Sequence, residues 1–207
     1  MPRIAIVDYG LGNLGSVEKA LRHVGADCYV TSAPEEVRAA AAVVLPGVGA
    51  FDDCMEGLLR TGLADAVVEA IEAGKPFFGI CLGLQVLFEE SEEAAVHRGL
   101  GILRGCVVRF RHELKIPQIG WNQIQIKRRA PHLADIPDGA WVYFVHSYHV
   151  QPADEDVVAT TTEYGYEFCS AVWRENIFAT QFHPEKSQRV GLRILRNFVE
   201  LVEAQGR

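Results

Sequence analysis

Short apolar runs alternate with segments of helical periodicity over the first eighty residues. The β-type runs predict strands at 3–7, 27–31, 42–45 and 76–80. Apolar positions recurring three and four residues apart predict helices over 16–24 and 63–73, the second ending at Gly74. Strands buried on both faces and separated by helices are typical of a parallel sheet with right-handed crossover connections.

The second half of the chain contains closely spaced β-type runs with turn residues between them. They predict strands at 105–110, 121–127, 141–145, 157–162, 169–173 and 177–181. We expect these strands to be antiparallel additions to the sheet. A closing helix with one apolar face is predicted over 188–202. Without an internal repeat or a linker, the pattern favours one doubly wound α/β domain, mainly parallel, over residues 1–207.

Composition and charge argue against several classes of protein. The chain has 207 residues, 49% of them hydrophobic, and a formal net charge of −7. An acidic balance argues against nucleic acid or an anionic membrane as the main partner. No apolar run approaches the roughly 18 residues of a membrane-spanning helix, and Asp8 interrupts the first run before a signal peptide could develop. We therefore expect a cytoplasmic protein.

The cysteines do not form a recognisable framework. Their number is odd, no two are closer than 25 residues, and the positions are Cys28, Cys54, Cys81, Cys106 and Cys169. This spacing favours neither disulfides nor a zinc site, and a buried cysteine is usually inert. His146 and His149 lack the glutamate of a zinc-binding HExxH motif, so no metal site is expected, and 127–129 is interpreted as a solvated basic turn.

A glycine-rich turn follows the first strand. Gly10, Gly12 and Gly15 match the dinucleotide-binding pattern G-x-G-x-x-G between a strand and a helix. However, the second strand ends at Thr31 without the acidic residue that binds ribose, and Asp8 would place a charge beside a pyrophosphate. We therefore favour a tight turn that permits close helix packing, with a dinucleotide-binding oxidoreductase as the alternative.

Cys81 lies in the segment Gly-Ile-Cys-Leu-Gly after a buried strand. Glycines two residues before and after a nucleophile are typical of a nucleophile elbow, in which they relieve crowding at a sharp turn. A helix beginning at this point would favour the thiolate, and the N–H of Leu82 would face a developing oxyanion. Cys81 is thus the candidate nucleophile.

A candidate base lies far away in sequence. Pro184 holds His183 extended, and residues two apart in an extended chain project to the same side, so Glu185 can orient the imidazole. The segment 46–49 follows the third strand. Its backbone is either a second oxyanion donor or a plain turn.

The chain resembles the class I, triad-type glutamine amidotransferases in two motifs, GICLGLQ (79–85) and QFHPEKS (181–187). It is most similar to the glutaminase subunits of imidazole glycerol phosphate synthases. This narrower resemblance rests on DYGLGNLGSV (8–17), PGVGAF (46–51), GWNQI (120–124), YFVHSY (143–148) and QFHPEKSQRVGLRILRNF (181–198). The segments cover nearly the full chain and imply a flavodoxin-like architecture.

The resemblance implies a role for each matching residue. Cys81 attacks glutamine and forms a γ-glutamyl thioester, His183 acts as general base and acid, and Glu185 orients it. The implied oxyanion hole consists of the backbone at Val48, Gly49 and Leu82. The implied glutamine pocket consists of Gln85, Glu93, Ser147 and Tyr148. No cofactor or metal is implied.

The resemblance also implies a partner. Because a glutaminase domain occupies all 207 residues, we expect a second chain, a (βα)₈-barrel cyclase, to receive the ammonia in a heterodimer. That cyclase makes imidazole glycerol phosphate and an aminoimidazole carboxamide ribonucleotide in histidine biosynthesis. The implied interface residues are Asn13, Trp121, Tyr143 and Lys186. A glutaminase subunit of another ammonia-using synthase is the alternative.

Overall fold

The fold alternates strands and helices in its first half and is rich in strands in its second half. The structure is a computed structural model and describes residues 2–205. The strands are β1 (Ile4–Val7), β2 (Cys28–Thr31), β3 (Ala42–Gly47), β4 (Phe77–Cys81), β5 (Glu90–Ser91), β6 (Gly105–Arg109), β7 (Gln118–Gln123), β8 (Gln125–Ile126), β9 (Trp141–His146), β10 (Tyr148–Pro152), β11 (Val158–Glu163), β12 (Glu167–Arg174) and β13 (Ile177–Thr180). The helices are α1 (Leu14–His23), α2 (Pro34–Ala39), α3 (Phe51–Thr61), α4 (Leu63–Glu72), α5 (Leu82–Gln85) and α6 (Gln188–Gln205).

The main sheet has the order β2-β1-β3-β4-β13-β12-β10-β6-β5, with β11 and β8 joined beside β12. From β2 to β13 the strands are parallel, and from β13 to β6 they are antiparallel. The predicted fold class, a parallel sheet with antiparallel additions in the second half, is confirmed. Among residues 2–205, no helix is long and apolar enough to cross a membrane.

Three expectations about the second half need correction. The run at 177–181 is β13, which pairs with β12 in antiparallel orientation, as expected, but also with β4 in parallel. All four of its residues are buried between these neighbouring strands. The run at 121–127 is split between β7 and β8. β7 pairs with β9, the run predicted at 141–145, in a separate two-stranded sheet.

Helix α3 and strands β5 and β10 were not predicted. The apolar residues of α3 do follow helical spacing, with Phe51, Cys54, Met55 and Leu58 buried on one side. The glycines at 47 and 49 just before it make that segment resemble a loop. β10 follows β9 after a single intervening residue, Ser147, so that its start cannot be read from a turn signal.

The core lies on both faces of the sheet. Adjacent side chains of a strand point to opposite faces, so Phe77 packs with the residues of α3 and α4, while Phe78 packs with those of α1 and α6. The Phe78 ring lies 5.2 Å from Phe178 and 5.4 Å from Phe198, both edge to face. The parallel pairing of β3, β4 and β13 places their carboxyl ends together at one edge of the sheet.

Candidate active site

Cys81 ends β4 in a strained conformation. Its φ of 55° and ψ of −106° are unusual for a residue other than glycine. A Cβ at Gly79 would lie 2.5 Å from the carbonyl oxygen of Gly83, and a Cβ at Gly83 would lie 1.8 Å from that of Leu45. The predicted crowding at a nucleophile elbow is therefore confirmed. The sharp turn at Cys81 places the thiol at the carboxyl edge of the sheet.

The helix after the elbow is shorter than expected. α5 has only four residues, so few peptide dipoles align behind Cys81, and the helix contributes less to a thiolate than the sequence suggested. Side chains and backbone surround the sulfur instead. Gln181 Nε2 donates to Cys81 Sγ at 3.5 Å, and the Val145 carbonyl oxygen lies 4.0 Å from the same sulfur.

His183 and Glu185 form a buried pair, as predicted. His183 Nδ1 lies 2.8 Å from Glu185 Oε1, and both side chains are at most 3% exposed. The path of the chain differs from the expectation. His183 is extended, with φ −96° and ψ 101°, but Pro184–Lys186 forms a 3₁₀ turn that brings Glu185 back to the ring. His183 Nε2 has no hydrogen-bond partner within residues 2–205.

The charges around His183 favour its imidazolium form. Burial lowers its pKa, but the Cys81 thiolate and the hydrogen-bonded Glu185 carboxylate together raise it to about 10. Cys81 and His183 border the same cavity, although no hydrogen bond of standard geometry joins Nε2 to the sulfur. The arrangement suits a thiolate and imidazolium pair, which is the reactive form of a cysteine nucleophile.

One cavity of about 440 Å³ contains nearly all of the predicted chemistry. This volume is within the usual range for small-molecule sites. The predicted residues on its wall are Val48, Gly49, Cys81, Leu82, Gln85, Glu93, Ser147, Tyr148, His183 and Lys186. Three further residues on the wall were not predicted: Pro117, Val145 and His146. Pro117 immediately precedes β7, and Val145 and His146 end β9. These strands lie beside the cavity because they pair with each other, and the sequence does not reveal that pairing.

The loop beside the thiol is tight at one end and open at the other. A Cβ at Gly47 would lie 2.7 Å from Leu82 Cβ and 2.8 Å from Tyr9 Oη. Gly49 has a φ of +96°, and within the described chain nothing lies within 4 Å of a Cβ added there. Val48, between them, is 37% exposed. The loop is thus anchored at Gly47, and the peptide linking Val48 to Gly49 has room to rotate.

Gln85 and Glu93 already have protein partners. Gln85 Nε2 donates to the Tyr148 carbonyl oxygen and to Gln181 Oε1, each at 3.1 Å. Glu93 Oε2 accepts from the backbone N–H of Phe51 at 3.1 Å, and burial raises the pKa of this carboxyl. Both residues nevertheless border the cavity, and these hydrogen bonds leave Gln85 Oε1 and Glu93 Oε1 unused.

His146 is a buried structural histidine. Its Nδ1 donates to the Tyr148 carbonyl oxygen at 2.7 Å, and its Nε2 contacts the Gln118 side chain at 2.8 Å. Burial lowers its pKa to about 3, so the ring is neutral. It supports the Ser147 and Tyr148 corner of the cavity.

An exposed aromatic patch adjoins the cavity. The Trp121 and Tyr143 rings meet edge to face at 6.0 Å, and Lys186 Nζ lies 5.9 Å from the centre of the Tyr143 ring. Trp121 is 42% exposed. Asn13, also exposed, precedes α1, which packs next to the 184–186 turn. The four residues predicted at an interface therefore lie on one side of the molecule.

The glycine-rich turn lacks the open phosphate site that the alternative, a dinucleotide-binding protein, would need. Asp8 Oδ1 accepts from the Gly10 N–H at 2.9 Å, which places a carboxylate where a pyrophosphate would need to bind. Gly10 and Gly12 have φ values of 101° and 141°, as a tight turn requires. The expectation that Gly15 permits close packing is wrong, because its added Cβ would meet no described atom within 4 Å.

Comparison with known protein families identifies the chain over nearly its whole length. The family model for glutamine amidotransferase class-I matches residues 5–202. A protein of Geobacter sulfurreducens, the imidazole glycerol phosphate synthase subunit HisH, is 52% identical, and the match covers 97% of this chain and 100% of the relative. The proteins of the same name from Syntrophotalea carbinolica and Methanosarcina mazei are 54% and 52% identical, with coverage of 96% and 97% of this chain and 100% of each relative.

Solved structures share the fold at lower identity. PurLQS from Thermotoga maritima matches with a TM-score of 0.77 at 18% identity, covering 100% of this chain and 99% of that one. The glutaminase domain of Trypanosoma brucei CTPS with bound acivicin matches with a TM-score of 0.71 at 18% identity, covering 100% and 94%. On the family model and the close relatives, the chain belongs to the class-I glutamine amidotransferases and, within them, to the HisH family of imidazole glycerol phosphate synthase subunits.

Proposed function

We propose that this chain, a single glutaminase domain over residues 1–207, hydrolyses glutamine at Cys81 and passes the ammonia to a cyclase subunit in histidine biosynthesis. One observation carries the proposal. The strained Cys81 and His183, about a hundred residues apart in sequence, border the same cavity, and the buried Glu185 contacts His183 from behind the cavity wall. The names of the close relatives support the pathway.

The reaction has two halves, and the Cys81 thiolate and the His183 imidazolium act in both. The Cys81 thiolate attacks the side-chain carboxamide carbon of glutamine, and the imidazolium of His183 gives its proton to the departing ammonia. A γ-glutamyl thioester remains on the sulfur. The neutral His183 then takes a proton from water, the resulting hydroxide attacks the thioester, and glutamate leaves as the thiolate and imidazolium re-form. Glu185 holds Nδ1 throughout and stabilises the imidazolium.

Each tetrahedral intermediate carries a negative oxygen that needs hydrogen-bond donors. The N–H of Leu82 follows the nucleophile directly, as in other elbow sites. The backbone at Val48 and Gly49 is the second source, since Gly47 pairs with Cys81 in the sheet and the loop continues along the same cavity wall. A hydrogen-bond donor that already faces this oxygen lowers the activation barrier, because negative charge develops on the oxygen in the transition state.

The glutamine pocket combines one negative group with neutral polar groups. The Glu93 carboxylate is the group on the cavity wall that suits the α-ammonium of glutamine. Gln85, Ser147 and Tyr148 supply polar groups for the α-carboxylate and the amino acid backbone. A pocket that pairs both charges and the carboxamide can reject glutamate, because a carboxylate cannot replace the carboxamide donors.

The partner surface lies at the mouth of this cavity. Trp121, Tyr143 and Lys186 form its centre, Asn13 lies to one side, and Ile119 adds an apolar side chain that is 59% exposed. Aromatic and aliphatic groups exposed beside a reactive centre are typical of an interface. A (βα)₈-barrel cyclase docked there would receive ammonia before water could protonate it.

The test is glutamate release by purified chain with and without the candidate cyclase subunit. We expect Cys81→Ala and Cys81→Ser to abolish turnover while partner binding is retained. The matched control is Cys106→Ala, which removes a half-buried thiol outside the cavity and should leave turnover unchanged. Substantial glutaminase activity in Cys81→Ala, or failure of the cyclase to use glutamine in the presence of this chain, would overturn the proposal.

A further inference from the structure

Gln181 lies outside the catalytic triad but touches its sulfur. It follows β13 directly, its side chain is completely buried, and its Nε2 lies 3.5 Å from Cys81 Sγ. Its backbone N–H donates to the Ser170 carbonyl oxygen at 2.8 Å, which fixes the main chain at this point. A buried amide in contact with a reactive atom requires a chemical explanation.

The direction of the Gln181 amide follows from its neighbours. The Tyr148 carbonyl oxygen can only accept, so the Gln85 group facing it at 3.1 Å is the NH₂. That same nitrogen faces the Gln181 side chain at 3.1 Å, so the facing atom there is the oxygen. The remaining atom of the Gln181 amide, turned towards the sulfur, is therefore the N–H donor.

We propose, on the basis of the function proposed above, that Gln181 is a further catalytic residue that stabilises the Cys81 thiolate by hydrogen bonding, and that Gln85 positions it. A donor at this point is needed because the Val145 carbonyl oxygen, 4.0 Å from the sulfur, opposes a negative charge there. The short α5 helix contributes little. The amide adds no charge that would bind the glutamate product or alter His183.

The strength of the hydrogen bond from Gln181 to the Cys81 sulfur changes during the reaction. The N–H binds the sulfur when it is negative, before attack and after hydrolysis, and binds it weakly in the neutral thioester. The hydrogen bond from Gln181 therefore favours the charged sulfur over the neutral one. The hydrogen bond between Gln85 and Gln181 prevents the amide from rotating its oxygen towards the sulfur.

The experiment measures the rate of Cys81 alkylation by iodoacetamide as a function of pH, with peptide mass spectrometry to locate the modified cysteine. Gln181→Met keeps the approximate volume and removes the donor. We expect the apparent pKa of Cys81 to rise by about one to two pH units, since a hydrogen bond to a charged group is lost. At neutral pH, kcat should fall about 10- to 100-fold in the cyclase complex. Gln151→Met is the matched control. Gln151 is exposed and contacts the sulfur of a different cysteine, Cys106, so its loss should leave the alkylation profile of Cys81 unchanged.

Gln85→Met provides a second arm if Gln181→Met does not fold. This substitution leaves the Gln181 amide free to rotate, so the apparent pKa of Cys81 should also rise. The double variant, Gln85→Met with Gln181→Met, should shift that pKa no further than Gln181→Met alone. Unchanged alkylation profiles in folded Gln181→Met, or in Gln85→Met, overturn the inference. If Cys81→Ala retains glutaminase activity, the proposed function itself fails, which is a separate result.

Discussion

The carboxylate of Glu93 accepts a hydrogen bond from the backbone N–H of Phe51, 42 residues away, at 3.1 Å. Phe51 is the first residue of α3, and the loop that carries Val48 and Gly49 ends just before it. Glu93 also borders the cavity. The group that we propose for the substrate ammonium therefore also fixes the end of the loop that carries Val48 and Gly49.

These two roles of Glu93 can be separated by substitution. Glu93→Gln keeps an oxygen for the Phe51 N–H but loses the negative charge, whereas Glu93→Ala loses both. We expect both variants to raise KM for glutamine by about 10- to 100-fold, the effect of losing a charge-assisted hydrogen bond. Only Glu93→Ala should also lower kcat and the unfolding temperature. Steady-state kinetics and thermal unfolding measure this, and an unchanged KM in Glu93→Gln would remove Glu93 from the pocket.

A second prediction concerns the glycines. Gly83→Ala forces a methyl group to 1.8 Å from the Leu45 carbonyl oxygen, so we expect the free energy of unfolding to fall by about 3 kcal/mol or more. Gly15→Ala is the matched control on α1, where the added methyl group meets open space, and should stabilise the chain by about 0.5–1 kcal/mol. Urea unfolding measures both. Wild-type stability in Gly83→Ala would contradict the close contact between α5 and β3.

A third prediction uses the raised pKa of His183. Glu185→Gln can still hold the ring, but it removes a negative charge that raises the pKa of His183. The imidazolium form is then lost at lower pH, so the alkaline limb of the kcat/KM profile should move to lower pH. The loss of rate should be smaller than in His183→Ala, which has no proton donor. An unchanged profile and full activity in Glu185→Gln would show that Glu185 does not act on the imidazole.

The sequence predicted those parts of the site that depend on local chemistry. The elbow around Cys81 could be recognised because glycines two residues away on each side have one main structural use. The His183–Glu185 contact could be recognised because the two residues are near neighbours, although a 3₁₀ turn and not an extended chain brings them together.

The missed features depend on contacts between distant segments. The hydrogen bond from Gln181 to Cys81 joins residues 100 positions apart, and its direction depends on Gln85 and on the Tyr148 carbonyl. Similarly, β7 and β9 pair outside the main sheet although their residue patterns resemble those of its strands. Hydrophobic periodicity reports which face of a strand is buried, not which strand lies beside it.

The last prediction concerns control of turnover by the partner. Glutamine hydrolysis without an acceptor wastes glutamine, and the loop at 47–49 can separate binding from chemistry. Gly47 is held by Leu82 and Tyr9, while Gly49 has a φ of +96° and free space around it. We therefore expect rotation of the peptide at Val48 to add or remove an oxyanion donor without moving the cavity walls proposed to bind the amino acid.

We expect the chain alone to be nearly inactive and the cyclase with its bound ligand to shift the Val48 peptide towards the orientation that donates. Because one oxyanion donor is worth about 10²- to 10³-fold in turnover, activation should be at least of that order. The activation should appear in kcat, since Glu93 and the other groups proposed to bind glutamine stay in place. Steady-state glutaminase assays on the chain alone, on the complex, and on the complex with cyclase ligand measure this. Equal kcat values in all three would show that the loop is not a switch.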